Sequence, residues 1–294
     1  MKAFALLLAF AIASTVDASV FLQPAGGLSA RHTHLAHRGL EVSPRTLSKR
    51  CKARGGQNAS APPPTNNAGQ NSVINVQSNC GPSGATPQST STTGPNGSLD
   101  WLNCGINDSG WQPPYIRVQD LLVKSLADSL NSGNSVFENC RPFVQLFEQY
   151  GSQFGVPSIM LASFAMQEST CNPETIGGAG EQGLMQLTSD KCGEAPGGNC
   201  RDPDYNIMTG AKYVSSLLSQ YGGSVLLVIG SYNGWVQGMT YAQATAAAYT
   251  SCCRCQNNLD YLFQYVNGWL QNVNSYDNSH PLGKYFNLNV CNQQ

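Results

Sequence analysis

Residues 157–173 read PSIMLASFAMQESTCNP and predict a helix that is apolar until its last turn. Proline is favoured in the first turn of a helix, where its missing N–H has no partner to lose, so Pro157 can open this one. Apolar side chains then follow at helical spacing, at Ile159, Ala162 and Met166. The polar run 167–170 comes next, and Cys171-Asn172-Pro173 ends the helix. The pattern therefore places Glu168 at a helix C-terminus.

Apolar residues recur with helical periodicity over most of the chain beyond residue 100. The pattern predicts further helices at 115–130, 143–150, 207–221, 225–229, 241–249 and 259–270. Gly222-Gly223 stops the helix at 207–221, since glycine is the usual residue after a helix end. The nearly all-apolar segment 225–229, capped by Ser224, is expected to be the most buried. We predict one all-α domain over residues 101–294.

The N-terminal third is predicted to consist of targeting and linker segments. Residues 1–18 combine a positive start, a short apolar run and small residues at 16–18, which is typical of a secretory signal peptide. Residues 19–50 are basic and end in Lys49-Arg50, so we interpret them as a cleaved propeptide. Residues 51–100 are rich in Gly, Ser, Thr, Pro and Asn and are predicted to be a disordered linker. N-x-Ser sequons begin at Asn58, Asn96 and Asn107.

The eleven cysteines indicate an oxidising compartment, and with the signal peptide they predict an extracellular protein. We expect a domain stapled by disulfides, whose pairing the sequence leaves open; Cys51 and Cys80 are one candidate pair. Three of the four histidines lie at 32–37, in the predicted propeptide, and none lies near Cys252-Cys253-Arg254-Cys255. The sequence therefore predicts no metal site and no cofactor.

The charge balance argues against nucleic acid or a membrane as a partner. Only 11% of the residues are charged, and the formal net charge is −1. Residues 51–294 hold 10 Lys and Arg against 15 Asp and Glu, and they carry no basic run. The only long apolar run belongs to the signal peptide and is too short to span a bilayer. We expect a monomer that acts outside the cell.

Glu168 is the candidate for acid–base chemistry. The negative end of a helix dipole and apolar surroundings both raise the pKa of a carboxyl group. A carboxyl that stays protonated near neutral pH can give its proton to a glycosidic oxygen. The alternative is an exposed glutamate at a helix end, with no chemical role.

Several short motifs follow Glu168-Ser169 in a fixed order. They are Gly183-Leu184-Met185-Gln186, Asn206-Ile207 with Gly210 and Tyr213, Tyr221-Gly222-Gly223, and Ser231-Tyr232-Asn233. Over roughly 140–270 this set resembles the soluble lytic transglycosylase and goose-type lysozyme family, glycoside hydrolase family 23, with serine in place of an alanine at Ser231. We interpret the chain as a secreted eukaryotic, fungal member.

The resemblance implies a lysozyme-like α-helical domain with a groove for a β-1,4-linked amino-sugar polymer. It implies that Glu168 is the catalytic acid and that the groove is lined by Ser169, Met185, Gln186, Tyr232, Asn233 and Tyr261. Peptidoglycan is the favoured substrate, and neutral chitin stays open because the mature chain is not basic. Core packing is the alternative for Met185 and Tyr232, and a wall-binding protein without activity is the alternative for the whole chain.

The presence of a second carboxylate decides the reaction. The resemblance puts Gly177 and Thr188 where goose-type enzymes have aspartates, which favours a reaction with one acid and a 1,6-anhydro product. Glu181 and Asp190 are the candidates for a base at a new position, which would instead allow hydrolysis by water.

Overall fold

The helix predicted at 157–173 lies at the centre of the molecule. The computed structural model of this chain describes residues 73–292, and there this helix covers Ser158–Ser169, directly after Pro157. Every residue from Ile159 to Ser169 is buried, and Thr170 ends the helix in a left-handed conformation. A disulfide from Cys171 to Cys140 fixes this end. Glu168 is thus held on the last turn of a fully buried helix.

Eight α-helices make up most of the regular structure of residues 73–292. They are α1 (Leu99–Leu102), α2 (Leu126–Asn131), α3 (Val144–Phe154), α4 (Ser158–Ser169), α5 (Pro203–Gln220), α6 (Val225–Tyr232), α7 (Tyr241–Ala244) and α8 (Tyr261–Phe263). Helix α8 continues as a π-turn over Gln264–Gly268 and a 3₁₀ turn over Trp269–Gln271. In this part of the chain no β-strand occurs, and two isolated bridges join Gln182 to Ile176 and to Leu187. The all-α prediction is confirmed.

Helices α3, α5 and α6 surround α4. Helix α3 packs against both α4 and α5, and α5 begins at Pro203 after Asp202, whose side chain accepts the Tyr205 amide. Helix α6 is buried at every residue but Leu227, and the prediction that it would be the most buried helix is wrong, because α4 is buried without a break from Ile159 to Ser169. All four tryptophans are buried, and Trp111 and Trp235 pack edge to face at 4.9 Å. The tryptophans therefore belong to the core.

Two of the predicted helices are wrong over most of their length. Residues 115–130 form an extended segment with a short 3₁₀ turn, Val118–Asp120, and only α2 at its end. The cause is a tertiary contact, because the Leu122 amide donates to Asn96 Oδ1 at 2.8 Å rather than to a helical carbonyl. At 241–249 only Tyr241–Ala244 is helical, and the following residues form turns that lead to two disulfides.

The predicted linker is wrong for residues 73–100, which pack onto the helical unit; residues 51–72 lie outside the described residues. Ile74, Asn96 and Leu99 are buried. Asn96 Nδ2 donates to the carbonyl oxygens of Leu122 and Val266, at 2.8 and 2.7 Å. Hydrogen bonds from one polar side chain thus order a segment whose composition is typical of a disordered chain. Because its amide nitrogen is buried and bonded, Asn96 is not available as a glycosylation site in the folded protein.

Asn96→Ala is expected to destabilise the fold by about 3 kcal/mol, because it removes the acceptor of the Leu122 amide and a donor to the buried Val266 carbonyl. Asn107→Ala is the matched control, since Asn107 is an exposed sequon asparagine whose Nδ2 reaches only the Tyr285 hydroxyl, at 3.2 Å. Urea denaturation of the two variants measures the difference. Equal midpoints would show that Asn96 does not hold this segment in place.

Ten cysteines lie within the described residues, and all of them are paired. The disulfides are Cys80–Cys104, Cys140–Cys171, Cys192–Cys200, Cys252–Cys255 and Cys253–Cys291. The suggested pair Cys51–Cys80 is wrong, because Cys80 forms its disulfide with Cys104. Cys51 lies outside the described residues. The prediction of a disulfide-stapled domain is confirmed.

Candidate active site

Glu168 is removed from solvent at the end of α4. Only 1% of its surface is exposed. Its Oε1 accepts a hydrogen bond of 2.5 Å from the Tyr261 hydroxyl, and its Oε2 has no hydrogen-bond partner among residues 73–292. The carboxyl group is therefore held on one side and left with a free oxygen on the other.

Burial raises the pKa of Glu168 from its ordinary value of 4.5 to about 8. The hydrogen bond from Tyr261 acts in the opposite direction, because it stabilises the charged form, and the negative charge of Glu181 adds to the increase. Glu168 accordingly keeps its proton at neutral pH. The sequence predicted this direction from the helix end and from apolar surroundings, and in the structure burial is the largest cause.

Gln186 is fixed by the loop that follows α4. Its backbone is left-handed, with φ 47°, and its Nε2 donates to the carbonyl oxygens of Gly183 and Thr175, at 2.8 and 3.1 Å. These two bonds fix the orientation of the amide. Its Oε1 is buried and has no partner among the described residues, so it can accept a hydrogen from a molecule in the site.

Asn206 on α5 is a positioning residue for this loop, a role that sequence reasoning missed. Its Oδ1 accepts the Met185 amide at 2.8 Å, and its Nδ2 donates to the carbonyl oxygens of Gln182 and Cys200. A Cβ at Gly183 would collide with Asn206 Nδ2, so only glycine allows the loop this close to α5. The signal was present in the sequence as Asn206-Ile207 within the helix motif.

Ser169 and Met185 do not face an open groove, contrary to prediction. Ser169 Oγ donates to the carbonyl oxygens of Ala165 and Leu184, at 3.0 and 2.7 Å, which ties the loop to α4. Met185 is fully buried and packs against α5 where Gly210 leaves room for it. Both residues therefore position the loop that carries Gln186.

Tyr232 and Asn233 lie at the end of α6, on the other side of the same region. The Tyr232 hydroxyl donates to the Met185 carbonyl at 2.8 Å, and its ring stacks on Phe164 with 4.2 Å between centroids. Asn233 Oδ1 accepts the Asn258 amide at 3.1 Å. This bond holds the start of the last helical segment, and the contact of Asn233 with a ligand stays a prediction.

Tyr276 is a second tyrosine near Glu168, and no sequence pattern signals it because it lies in the turn-rich tail. Its hydroxyl donates to the Gln167 carbonyl at 2.7 Å, and its ring packs edge to face on Trp269 at 5.1 Å. Burial, and the nearby charge of Glu168, raise the pKa of Tyr276. The tail thus packs against the last turn of α4, which carries Glu168.

A small cleft opens beside Gln186. It is lined by Gln186, Leu187, Thr188, Lys191, Tyr213 and Tyr232. The cleft has room for about one water molecule. Lys191 lies over the Tyr213 ring at 4.6 Å and donates to Thr188 Oγ1 at 2.8 Å. A ligand larger than water has to separate these walls to enter.

Of the two candidate second carboxylates, Glu181 is buried and acts on Glu168 through its charge, and Asp190 is exposed. Glu181 is 1% exposed, and its charge is one of the causes of the raised pKa of Glu168. Asp190 is exposed and pairs with Lys191 at 3.1 Å. Partial desolvation acts to raise the pKa of Asp190, but hydrogen bonds from Thr188 and Lys191 together hold that pKa below its ordinary value.

Buried acceptor oxygens without partners concentrate at this place. Six buried side-chain polar atoms in residues 73–292 have no hydrogen-bond partner, and three of them belong to Glu168, Glu181 and Gln186. Native proteins leave few such atoms unpaired, so a cluster of three indicates a site for a molecule that donates hydrogens. Hydroxyl groups and water are such donors.

Two other kinds of feature are not found in the part of the chain that the structure describes. Among residues 73–292, no group of three or more His, Cys, Asp or Glu could hold a metal ion. None of the helices in the described residues has the length and apolar character of a membrane span.

The family model described as "Transglycosylase SLT domain" matches residues 145–247. This range includes the helix with Glu168, the loop with Gln186 and the helix with Tyr232.

Two curated relatives show what this chain is similar to. Membrane-bound lytic murein transglycosylase F 1 of Alkalilimnicola ehrlichii is 35% identical over 74 residues, which is 25% of this chain and 15% of the relative. Soluble lytic murein transglycosylase of Escherichia coli K12 is 27% identical over 189 residues, 58% of this chain and 27% of the relative. The chain thus spans about a quarter or less of the length of these relatives. A crystal structure of the 70-kDa soluble lytic transglycosylase from Escherichia coli aligns with 45% of this chain and 23% of its own, at 24% identity and a TM-score of 0.31.

Proposed function

We propose that this chain is an enzyme that cleaves the β-1,4-glycosidic bonds of an amino-sugar polymer, with peptidoglycan as substrate and Glu168 as the general acid. The observation that carries the proposal is the buried carboxyl of Glu168, which keeps its proton near neutral pH and leaves Oε2 without a partner. The match of residues 145–247 to the SLT domain supports the reaction class. The names of the relatives, which are murein transglycosylases, support peptidoglycan over chitin.

In this proposal Glu168 gives its proton to the glycosidic oxygen as the bond from that oxygen to the anomeric carbon breaks. Tyr261 fixes the carboxyl through Oε1, so the proton is carried on the side of Oε2. Gln186 Oε1, held in place by Gly183 and Thr175, accepts a hydrogen bond from a hydroxyl or acetamido group of the sugar. The polymer enters beside Tyr232 and Gln186 as the cleft walls separate.

Digestion of purified peptidoglycan and of chitin oligomers, followed by mass spectrometry of the products, tests the proposal. We expect soluble muropeptides from peptidoglycan and slower release of fragments from chitin. Cleavage of chitin alone would reject the proposed polymer. Binding to both polymers without any product would reject catalysis and support a wall-binding protein.

Activity is expected to fall as the pH rises through about 8, because the acid must be protonated to work. Tyr261→Phe removes a hydrogen bond that stabilises the charged form, so it raises the pKa of Glu168 further and moves the alkaline limb of kcat/KM to higher pH. Tyr265→Phe is the control, because the Tyr265 hydroxyl is equally buried but donates to the Met160 carbonyl. An alkaline limb that stays at the same pH in Tyr261→Phe, or moves to lower pH, would contradict this assignment.

We also propose that the protein is secreted. The five disulfides support an oxidising compartment. N-terminal sequencing of the protein from culture medium tests it, with a start at residue 51 expected after removal of both leader segments. Retention of the protein inside the cell would contradict it.

A further inference from the structure

Glu181 is a buried carboxyl group that the mechanism above does not use. Its Oε2 accepts the Ala179 amide at 3.1 Å, and its Oε1 has no partner among residues 73–292. The loop around it is held by the Gly177 amide, which donates to the Glu181 carbonyl at 2.7 Å, and by the bridge from Ile176 to Gln182. The backbone of this loop therefore holds the Glu181 carboxyl in place through Oε2, and its Oε1 has no hydrogen-bond donor among the described residues.

The absence of a side chain at Gly177 makes room for this carboxyl. A Cβ at Gly177 would collide with Glu181 Oε2 and lie 2.7 Å from Gln186 Oε1. The two side chains thus meet over Gly177, and each of them has a buried oxygen without a donor. One small molecule that donates two hydrogen bonds would satisfy both acceptors, and water is such a molecule.

The relation of Glu181 to Glu168 fits a pair with divided roles. The negative charge of Glu181 favours the protonated form of Glu168, so the two carboxyl groups are suited to different roles. Inverting glycosidases use such a pair, an acid and a base with a water between the base and the sugar. Asp190 does not fit the second role, because it is exposed and bound to Lys191.

We propose that Glu181 is the general base of a hydrolytic reaction, activating a water held between its carboxylate and Gln186 Oε1. The inference rests on the proposed function and specifies its product. The water oxygen bonds to the anomeric carbon, and its proton passes to Glu181. The bond from the anomeric carbon to the glycosidic oxygen breaks, and Glu168 gives its proton to that oxygen. The products are two sugar chains with a new reducing end and a new 4-hydroxyl, and solvent returns the proton from Glu181 to Glu168.

Product analysis in heavy-oxygen water distinguishes this reaction from anhydro formation. We expect the wild-type protein to release reducing ends that carry one heavy oxygen. Products with 1,6-anhydro ends, which are lighter by one water and carry no label, would overturn the role of Glu181 and leave the proposed cleavage by Glu168 intact. No product from any amino-sugar polymer would overturn both.

Glu181→Gln keeps the size of the side chain and is expected to lower kcat about 100-fold or more. It should also move the alkaline limb of the pH profile to lower pH, because the negative charge of Glu181 raises the pKa of Glu168. Glu174→Gln is the control, because Glu174 is exposed and pairs with Arg201 at 2.7 Å, and we expect its activity to be unchanged. Full activity of Glu181→Gln would overturn the proposal.

Gly177→Ala is the second variant, and it removes no functional group. The backbone at Gly177 is not left-handed, so alanine is allowed there, but its Cβ has to displace the Glu181 carboxyl or the Gln186 amide. We expect kcat to fall at least tenfold with thermal unfolding close to wild type. Wild-type activity in Gly177→Ala would show that the position of the carboxyl is not required, and would overturn the proposal.

Discussion

Glu168→Gln is expected to abolish glycan cleavage, with a loss of at least 1000-fold in kcat, while the fold stays intact. The amide has the size of the protonated carboxyl and can still accept the hydrogen bond of the Tyr261 hydroxyl. It has no proton to give to the glycosidic oxygen, so the loss falls on the chemical step. The measurement is release of muropeptides from purified peptidoglycan.

The same substitution is expected to stabilise the fold near and above neutral pH. The pKa of Glu168 is about 8 in the folded protein and near 4.5 when exposed, so between these values unfolding releases a proton. The stability of the wild type therefore falls as the pH rises from about 4.5 to 8, by at most about 1.4 kcal/mol for each pH unit, and is level above that. Glutamine cannot ionise and avoids this loss.

Glu148→Gln is the matched control, because Glu148 is an exposed glutamate on α3. It should change neither activity nor the pH dependence of stability. Substantial cleavage by Glu168→Gln would reject Glu168 as the acid. A variant that is inactive but less stable than wild type at pH 8 would show that the carboxyl is ionised and bound in the fold, contrary to its assignment.

Removal of the disulfide Cys140–Cys171 is expected to weaken the fold strongly. This bond joins the 3₁₀ turn before α3 to the end of α4, one turn from Glu168, and closes a loop with a sequence separation of 31. The loop-entropy relation assigns such a bond about 3–4 kcal/mol of stability. Cys140→Ala with Cys171→Ala should lower the free energy of unfolding by that amount, as measured by urea denaturation.

The disulfide Cys252–Cys255 provides the control. It has a sequence separation of 3 and lies in an exposed turn far along the chain from α4. The same relation gives about 1–2 kcal/mol for so short a loop. Equal losses for the two double variants would contradict this ranking, and activity should fall with stability only when Cys140 and Cys171 are replaced.

Residues that start and stop helices made the centre of the fold predictable. Pro157 before α4, Ser224 before α6 and Gly222-Gly223 after α5 all stand where the structure begins or ends a helix. Apolar periodicity then fixed the type of element between them. In these segments local preference and tertiary packing agree, so the sequence alone was sufficient.

The prediction failed where single polar side chains decide the structure. Asn267 Oδ1 accepts a hydrogen bond from the Asn96 backbone amide at 2.8 Å. Bonds between these two asparagines and the neighbouring backbone order a segment whose composition is typical of a linker. The last helix changes to a π-turn and a 3₁₀ turn at Gly268, where a Cβ would collide with Ser275 Oγ. Neither contact has a periodic signal, because each depends on residues distant in sequence.

At the candidate site, the resemblance assigned Glu168 and Tyr261 to one groove, and in the structure the Tyr261 hydroxyl donates to Glu168 at 2.5 Å. It did not predict that the Met185 side chain would pack against α5, or that the Ser169 hydroxyl would bond to backbone carbonyls. It also could not show that Gly177 makes room for Glu181, because that is a question of where two side chains meet in space. The proposal of a second carboxylate therefore rests on the structure and not on the resemblance.

The most direct test measures the protonation of Glu168 itself. Infrared difference spectra between the wild type and Glu168→Gln, recorded across a pH titration, monitor the protonated carboxyl. We predict a protonated carboxyl band that persists at pH 7 and disappears with a midpoint at about 8. A band that is lost near pH 4.5, the value of an exposed glutamate, would contradict the claim that this chain keeps a buried acid ready for a sugar linkage.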